Sequence, residues 1–185
     1  MRIVSGRFGG RRLTALGKGD PAAHLRPTAD RVRESLFSML MSLDAIEDAQ
    51  VLDLFAGTGA LGLEALSRGA RHVTFVDSGR KALALIRENV ALLGCGDAVE
   101  VIARDALKLG PGAACDLVFL DPPYGRDLGA RALAAAARAG RIAPGALIVW
   151  EEAQAMAAPD GFEALDQRRY GDTHMTLLRW RGEGE

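Results

Sequence analysis

Nothing in this sequence reads as a membrane span, because it contains no run of eighteen apolar residues. Its start, Met1-Arg2-Ile3-Val4-Ser5-Gly6, also lacks the apolar stretch of a secretory signal. Cysteine is scarce. Cys95 and Cys115 form no metal-like spacing, and both are expected as reduced thiols of a cytoplasmic protein with no metal and no membrane partner. Lysine is nearly missing, three against twenty arginines, but high-GC coding accounts for that bias together with the abundant alanine, so no mechanism follows from it. No internal repeat or low-complexity tract stands out. What remains is an ordinary globular composition, 49% hydrophobic and 25% charged over 185 residues. That is enough for one domain with a real core, expected to be a monomer.

The net charge of −1 argues against a nucleic-acid partner until its distribution is considered. Residues 1–33 hold Arg2, Arg7, Arg11, Arg12, Lys18, Arg26, Arg31 and Arg33 against only Asp20 and Asp30, a balance of +6, so the other 152 residues sum to −7. Such asymmetry is an electrostatic hint of nucleic acid, although a solvated basic edge would look the same.

Residues 1–14 read as a short hairpin, Arg2-Ile3-Val4 and Arg11-Arg12-Leu13 around Gly9-Gly10, and residues 15–27 as a connector. A helix follows, with Thr28 as N-cap and Val32, Leu36, Met39 or Leu40, and Leu43 at helical spacing. From residue 50 strands and helices alternate: strands at 51–55, 72–77, 99–102, 116–120 and 146–150, helices at 60–68, 78–93 (capped by Ser78) and 128–139. Two further strands, 165–170 and 173–180, meet at the Gly171-Asp172 turn. The pattern predicts an α/β, Rossmann-like fold: a seven-stranded, mostly parallel sheet with an antiparallel C-terminal hairpin strand and a short N-terminal β-hairpin extension. Residues 1–185 form a single domain on this reading, 1–27 being the basic hairpin and connector and 28–185 the fold that carries the site.

Two motifs fall at strand ends, where open α/β sheets bind ligands. The first is Asp53-Leu54-Phe55-Ala56-Gly57-Thr58-Gly59, whose Gly57, Gly59 and Gly62 fit the G-x-G-x-x-G spacing of a dinucleotide site. Asp53 argues against a dinucleotide, since a carboxylate beside the turn repels a pyrophosphate but attracts the ammonium group of S-adenosylmethionine. Phe55, Ala56, Gly57, Thr58 and Gly59 then form the donor turn, and Asp77, followed by Ser78, can accept hydrogen bonds from ribose hydroxyls.

The second motif, Asp121-Pro122-Pro123-Tyr124, follows the apolar run Leu117-Val118-Phe119-Leu120. The exocyclic amine of a base is a poor nucleophile because its lone pair is delocalised into the ring. The Asp121 carboxylate and the Pro122 carbonyl can accept hydrogen bonds from the two amino hydrogens and stabilise the positive charge that develops on nitrogen. Pro122 and Pro123 restrict the backbone that carries these acceptors. Tyr124 offers a ring on which a base can stack, worth about 1–3 kcal/mol. A base in structured nucleic acid has to leave its stack to reach such a pocket.

Three blocks narrow the reading: residues 26–37 (Arg-Pro-Thr-Ala-Asp-Arg-Val-Arg-Glu-Ser-Leu-Phe), residues 52–69 containing Ala-Gly-Thr-Gly-Ala-Leu-Gly-Leu-Glu-Ala, and Val118 to Tyr124. With the tail Tyr170-Gly171-Asp172-Thr173, the chain resembles, over nearly its whole length, the bacterial small-subunit rRNA guanine-N2 methyltransferases, the RsmD group. The resemblance implies a class I methyltransferase fold and transfer of a methyl group from S-adenosylmethionine to N2 of a guanine in the helix 31 loop of 16S rRNA, within the assembled small ribosomal subunit. It also implies that the Asp105 side chain meets the adenine amino group and the Ala106 amide a ring nitrogen. Gly79 departs from the family, which often has an acid there. On this reading Arg2, Arg7, Arg11 and Arg12 grip rRNA phosphates, while Arg26, Arg31 and Arg33 line the pocket entrance. Competing readings are an adenine-N6 DNA methyltransferase, which shares the Asp-Pro-Pro-Tyr turn, a protein amine methyltransferase, a non-catalytic ribosome assembly factor, and a nicotinamide oxidoreductase.

Overall fold

A computed structural model describes residues 1–15 and 29–182. The expected N-cap Thr28 and the candidate RNA contact Arg26 lie outside these residues. Seven strands form one sheet: β1 (Gln50–Leu54), β2 (His72–Asp77), β3 (Val99–Ala103), β4 (Cys115–Leu120), β5 (Ile142–Glu152), β6 (Phe162–Tyr170) and β7 (Thr173–Trp180). Their order is β3-β2-β1-β4-β5-β7-β6. The first five are mutually parallel, and β7 runs antiparallel between β5 and β6. The sheet is therefore mostly parallel with an antiparallel C-terminal hairpin, as its alternating pattern predicts. Strand order reverses between β1 and β4, which creates the crevice where such sheets bind ligands.

Side chains alternate across the sheet, so two apolar layers form. Val51, Phe75, Leu117, Phe119, Val149 and Leu177 face α1 (Asp30–Ser42), α2 (Ala60–Ser67) and α3 (Arg80–Leu93). Leu52, Leu54, Val118, Leu120, Ile148 and Trp150 face α4 (Leu128–Arg138) and the segment around Met156 and Ala158. Both cysteines are buried and free. No helix among the described residues is long and apolar enough to cross a membrane, and no group of three His, Cys, Asp or Glu side chains among them could hold a metal ion.

Several boundaries differ from expectation for local reasons. In α1 the buried stripe is Arg33, Leu36, Phe37 and Leu40, whereas Leu43 is 48% exposed beyond the helix end. α3 begins after Gly79 rather than being capped by Ser78, because the Asp77 carboxylate takes the Gly79 N–H at 2.8 Å and delays the first turn. β5 starts four residues early and passes Pro144-Gly145 with a register shift against β4. β6 starts at Phe162, whose ring packs on Trp180 at 4.5 Å.

The N-terminal hairpin is thinner than expected. A single antiparallel bridge, Arg2 to Arg12, joins its arms, aided by Ile3 N–H to the Arg11 carbonyl at 2.9 Å. Tertiary contacts hold it instead. The fully buried Glu64 of α2 accepts the Val4 and Ser5 N–H groups at 2.8 and 3.0 Å. Ser67 accepts from the Arg7 and Phe8 amides. A Cβ on Gly6 would overlap the Ser67 backbone, and Gly6 has φ +81°, so only glycine permits this close approach.

Candidate functional site

The chain leaves β1 through Phe55, whose φ of +58° is unusual for an aromatic residue. Gly57 and Gly59 also have positive φ, and Gly59 is the N-cap of α2. These angles fold the backbone into a tight turn between β1 and α2. Gly62, the third glycine, serves packing: a Cβ there would overlap the Phe75 ring and stand 2.7 Å from Val73 Cγ1. Two carboxylates brace the turn. Asp53 Oδ2 accepts the Gly62 N–H at 3.0 Å, and Asp77 Oδ2 accepts the Gly57 N–H at 3.0 Å.

Asp53 is 2% exposed. Burial is the main cause that pushes its pKa to about 8, opposed by the Gly62 bond and helped by the charge of Asp77. A carboxyl kept protonated for want of a counter-charge is a strong receptor for a cation. The ammonium of S-adenosylmethionine has the right sign and size, and the positive-φ turn leaves space for close approach, so the residues present fit that donor. Asp77 stands at the tip of β2, where one more hydrogen bond to either oxygen is available to a sugar hydroxyl. Asp105 caps a short 3-10 turn, its Oδ1 accepting the Leu107 N–H at 2.9 Å, which leaves Oδ2 to face an amino group; Ala106 beside it is buried. Ser78 is exposed at the same rim.

β4 lies beside β1 in parallel, so Asp121 emerges at the same end of the sheet as the glycine turn, its N–H 3.4 Å from the Leu54 carbonyl. Had these two motifs come out at opposite ends, no joint site could exist. Burial raises the Asp121 pKa well above the carboxylate range, and the charges of Glu151, Asp53 and Glu152 add to it. Pro122 is buried, whereas Pro123 and Tyr124 are exposed. The Tyr124 hydroxyl donates to Glu151 Oε1 at 3.1 Å and lies 3.3 Å from Thr173 Oγ1. Glu151 carries no motif, and Thr173, although part of the Tyr170-Gly171-Asp172-Thr173 tail, is given no site role by its sequence; only the register of β5 and β7 brings them here.

The arginines separate into groups. Arg2, Arg7, Arg11, Arg12 and Arg31 are exposed. Arg2 pairs with Asp30 at 3.3 Å, Arg7 sits 4.6 Å above the Phe8 ring, and Arg11 Nη1 donates to the Leu92 carbonyl. Since Ser67 and Leu92 close α2 and α3, Arg7 and Arg11 lie near the end of the sheet where strands begin, away from Asp121. Arg31 lies in the first turn of α1, whose Ser35 meets the β6–β7 turn through Tyr170 at 2.9 Å, so it belongs to the site end. Arg33 does not line the entrance. Its side chain is fully buried, bonded to Asp30 and to the Arg2 carbonyl and 4.0 Å from Glu64. The inward-turned stripe of α1 takes this arginine into the protein, where it pins the N-terminal arm.

The family model described as "Conserved hypothetical protein 95" matches residues 1–179. Ribosomal RNA small subunit methyltransferase D of Haemophilus influenzae is 35% identical over 178 residues, spanning 92% of this chain and 89% of that protein. The protein of the same name from Escherichia coli is 42% identical over 130 residues, 69% of this chain and 62% of its own length. Among solved structures, yhhF of Escherichia coli, described as a candidate methyltransferase, superposes with a TM-score of 0.85 at 34% identity and 99% coverage of both chains. A candidate methylase of Haemophilus influenzae does so with a TM-score of 0.78 at 30% identity, covering 97% of this chain and 98% of that one.

Proposed function

The chain belongs to the Conserved hypothetical protein 95 family, that of ribosomal RNA small subunit methyltransferase D, and on that premise we propose that it methylates the exocyclic N2 of a guanine in 16S rRNA, in the helix 31 loop of the small ribosomal subunit. The observation that carries this reading is the convergence of Asp53 and Asp121 at the same end of adjacent parallel strands, close enough for the charge of Asp53 to add to the burial that raises the proton affinity of Asp121. S-adenosylmethionine supplies the electrophilic methyl group.

Asp53 receives the donor's ammonium, Asp77 its ribose, and Asp105 with the Ala106 amide its adenine. Phe55, Ala56, Gly57, Thr58, Gly59 and Ser78 shape the cleft around it. On the acceptor side, Asp121 and the Pro122 carbonyl take hydrogen bonds from the two amino hydrogens and turn the nitrogen lone pair toward the methyl group. Much of the rate comes from that alignment. As positive charge grows on nitrogen, the nearby carboxylate stabilises it in a site poor in water. A carboxylate with raised proton affinity is also suited to take the proton the product amine gives up. Tyr124 holds the flipped base by stacking.

Arg2, Arg12 and Arg31, with Arg7 and Arg11 farther away, supply phosphate contacts. Contacts spread down one flank suit a folded particle better than a short oligonucleotide. The deciding experiment is radiolabelled methyl transfer to small subunits lacking the modification, followed by digestion and mapping. Label on guanine N2 in 16S rRNA supports the reading. Label appearing as N6-methyladenine in DNA, or on no RNA at all, overturns it.

A further inference from the structure

Tyr124 stands in an exposed stretch from Pro123 to Asp127, with Gly125 at φ +72° directly after it. Its ring is 37% exposed and is not wedged into either apolar layer. What fixes its direction is the hydroxyl, held between Glu151 Oε1 on β5 and Thr173 Oγ1 on β7. Both anchors are themselves firmly placed. Glu151 is 6% exposed and pairs with Met175 across the β5–β7 ladder. Thr173 pairs with Tyr170, whose own hydroxyl is bonded to Ser35 of α1. An exposed aromatic turn is thus tied through one side-chain atom to a corner built from three elements.

We propose that Glu151 and Thr173 are positioning residues for the methyl acceptor: through the Tyr124 hydroxyl they hold the ring as a fixed wall of the pocket, at the angle a planar purine needs to present its amine. The role rests on the reading of Tyr124 as the stacking residue for a base. Stacking alone needs only a ring, and a phenylalanine would supply it. The hydroxyl is needed to choose one orientation before the base arrives, so that less ordering cost falls on binding and alignment. Thr173 accordingly has a task within the Tyr170-Gly171-Asp172-Thr173 tail that the turn geometry alone does not require.

The test uses the fact that the chain has only two tyrosines, Tyr124 and Tyr170. Protein made with 3-fluorotyrosine gives one fluorine signal for each. Thr173→Val and Glu151→Ala are expected to move and sharpen the Tyr124 signal toward that of a freely rotating ring, while Glu151→Gln, which keeps an acceptor, stays near the wild type. In methyl transfer to unmodified small subunits, Thr173→Val lowers kcat/KM by about tenfold, the size of one lost hydrogen bond, with S-adenosylmethionine affinity unchanged. In the Tyr124→Phe background the same substitution has no further effect, because its only route of action is gone. Unaltered fluorine spectra in all variants, or an equal loss from Thr173→Val with and without the hydroxyl, overturn the inference. Failure of the wild type to label RNA overturns instead the assignment of the acceptor on which it rests.

Discussion

Asn89 Nδ2 lies 3.0 Å from the carbonyl oxygen of Thr58, inside the glycine turn. The same fully buried carboxamide donates to the Thr14 carbonyl at 3.0 Å and accepts the Thr14 N–H at 2.7 Å. One side chain of α3 therefore clamps the end of the basic arm to the glycine turn proposed to receive the methyl donor. Replacing Asn89 by Leu leaves backbone groups buried without partners, at about 1–3 kcal/mol each. Donor affinity is expected to fall by roughly tenfold or more, read by calorimetric titration. An unchanged dissociation constant would show that the clamp does not reach the donor site.

The protonation of Asp53 makes donor binding pH-dependent. In the folded, unliganded protein its carboxyl gives up its proton only near pH 8, against an ordinary value of 3.8. The folded state binds more protons than the unfolded chain between those values. Stability from this group is therefore complete below about pH 3.8 and is lost as pH rises through about 8. Melting temperatures of the unliganded wild type should decline from pH 5 to 9 more steeply than those of Asp53→Asn. A donor ammonium restores the ionised form, so binding at pH 7 releases a proton, visible as a buffer-dependent heat that Asp53→Asn abolishes. Equal heats in buffers of different ionisation enthalpy would refute this.

Glu151, Asp53 and Glu152 all raise the Asp121 pKa, with burial as the larger cause. Removing one charge, as in Glu151→Gln, lowers it. If ionised Asp121 is the acceptor of the amino hydrogens, the acid limb of the kcat profile then moves to lower pH. A limb that stays in place counts against Asp121 as the titrating group.

Arg12 and Arg33 should fail in different ways. Arg11→Ala with Arg12→Ala weakens binding to small subunits and flattens its salt dependence, each lost phosphate contact reducing the log–log slope by roughly 1. Arg33→Met should leave that slope intact yet cost about 3 kcal/mol of stability, since it breaks a buried network of Asp30, Glu64 and the Arg2 carbonyl. Urea denaturation separates the two. A reduced salt slope in Arg33→Met would place that guanidinium at the RNA after all.

Gly62→Ala forces a methyl group against Phe75 and Val73. Overpacking of this kind costs about 1–3 kcal/mol, or some 2–4 °C of melting temperature per kcal/mol at this chain length. Differential scanning calorimetry would detect it, and a variant as stable as the wild type would mean that α2 and β2 can part without cost.

The strand–helix alternation was legible because buried parallel strands read as apolar runs closed by glycine or a capping turn: β2 begins and ends where those signals fall. The placement of Asp53, Asp77 and Asp121 at one end of the sheet was legible because each lies near or just past the carboxyl end of such a run. Arg33 was misread for a physical reason. A helix-surface arginine and a buried one look alike in sequence, and only the path of the N-terminal arm over Glu64 turns this one inward. The contact of Glu151 and Thr173 with Tyr124 was invisible because it depends on cross-strand register, which no local pattern encodes. Cap positions moved by a residue or two where a strand-end carboxylate competed for the first helical amide, as Asp77 does at Gly79.

Ile3 has no solvent exposure, and the groups that enclose its neighbourhood, Glu64, Ser67 and Asn89, come some sixty to ninety residues later in the chain. During translation this arm is made before the helices that hold it, so it docks only after they have been made. Until α3 has emerged from the exit tunnel, this basic and partly apolar arm lacks the partners that dock it.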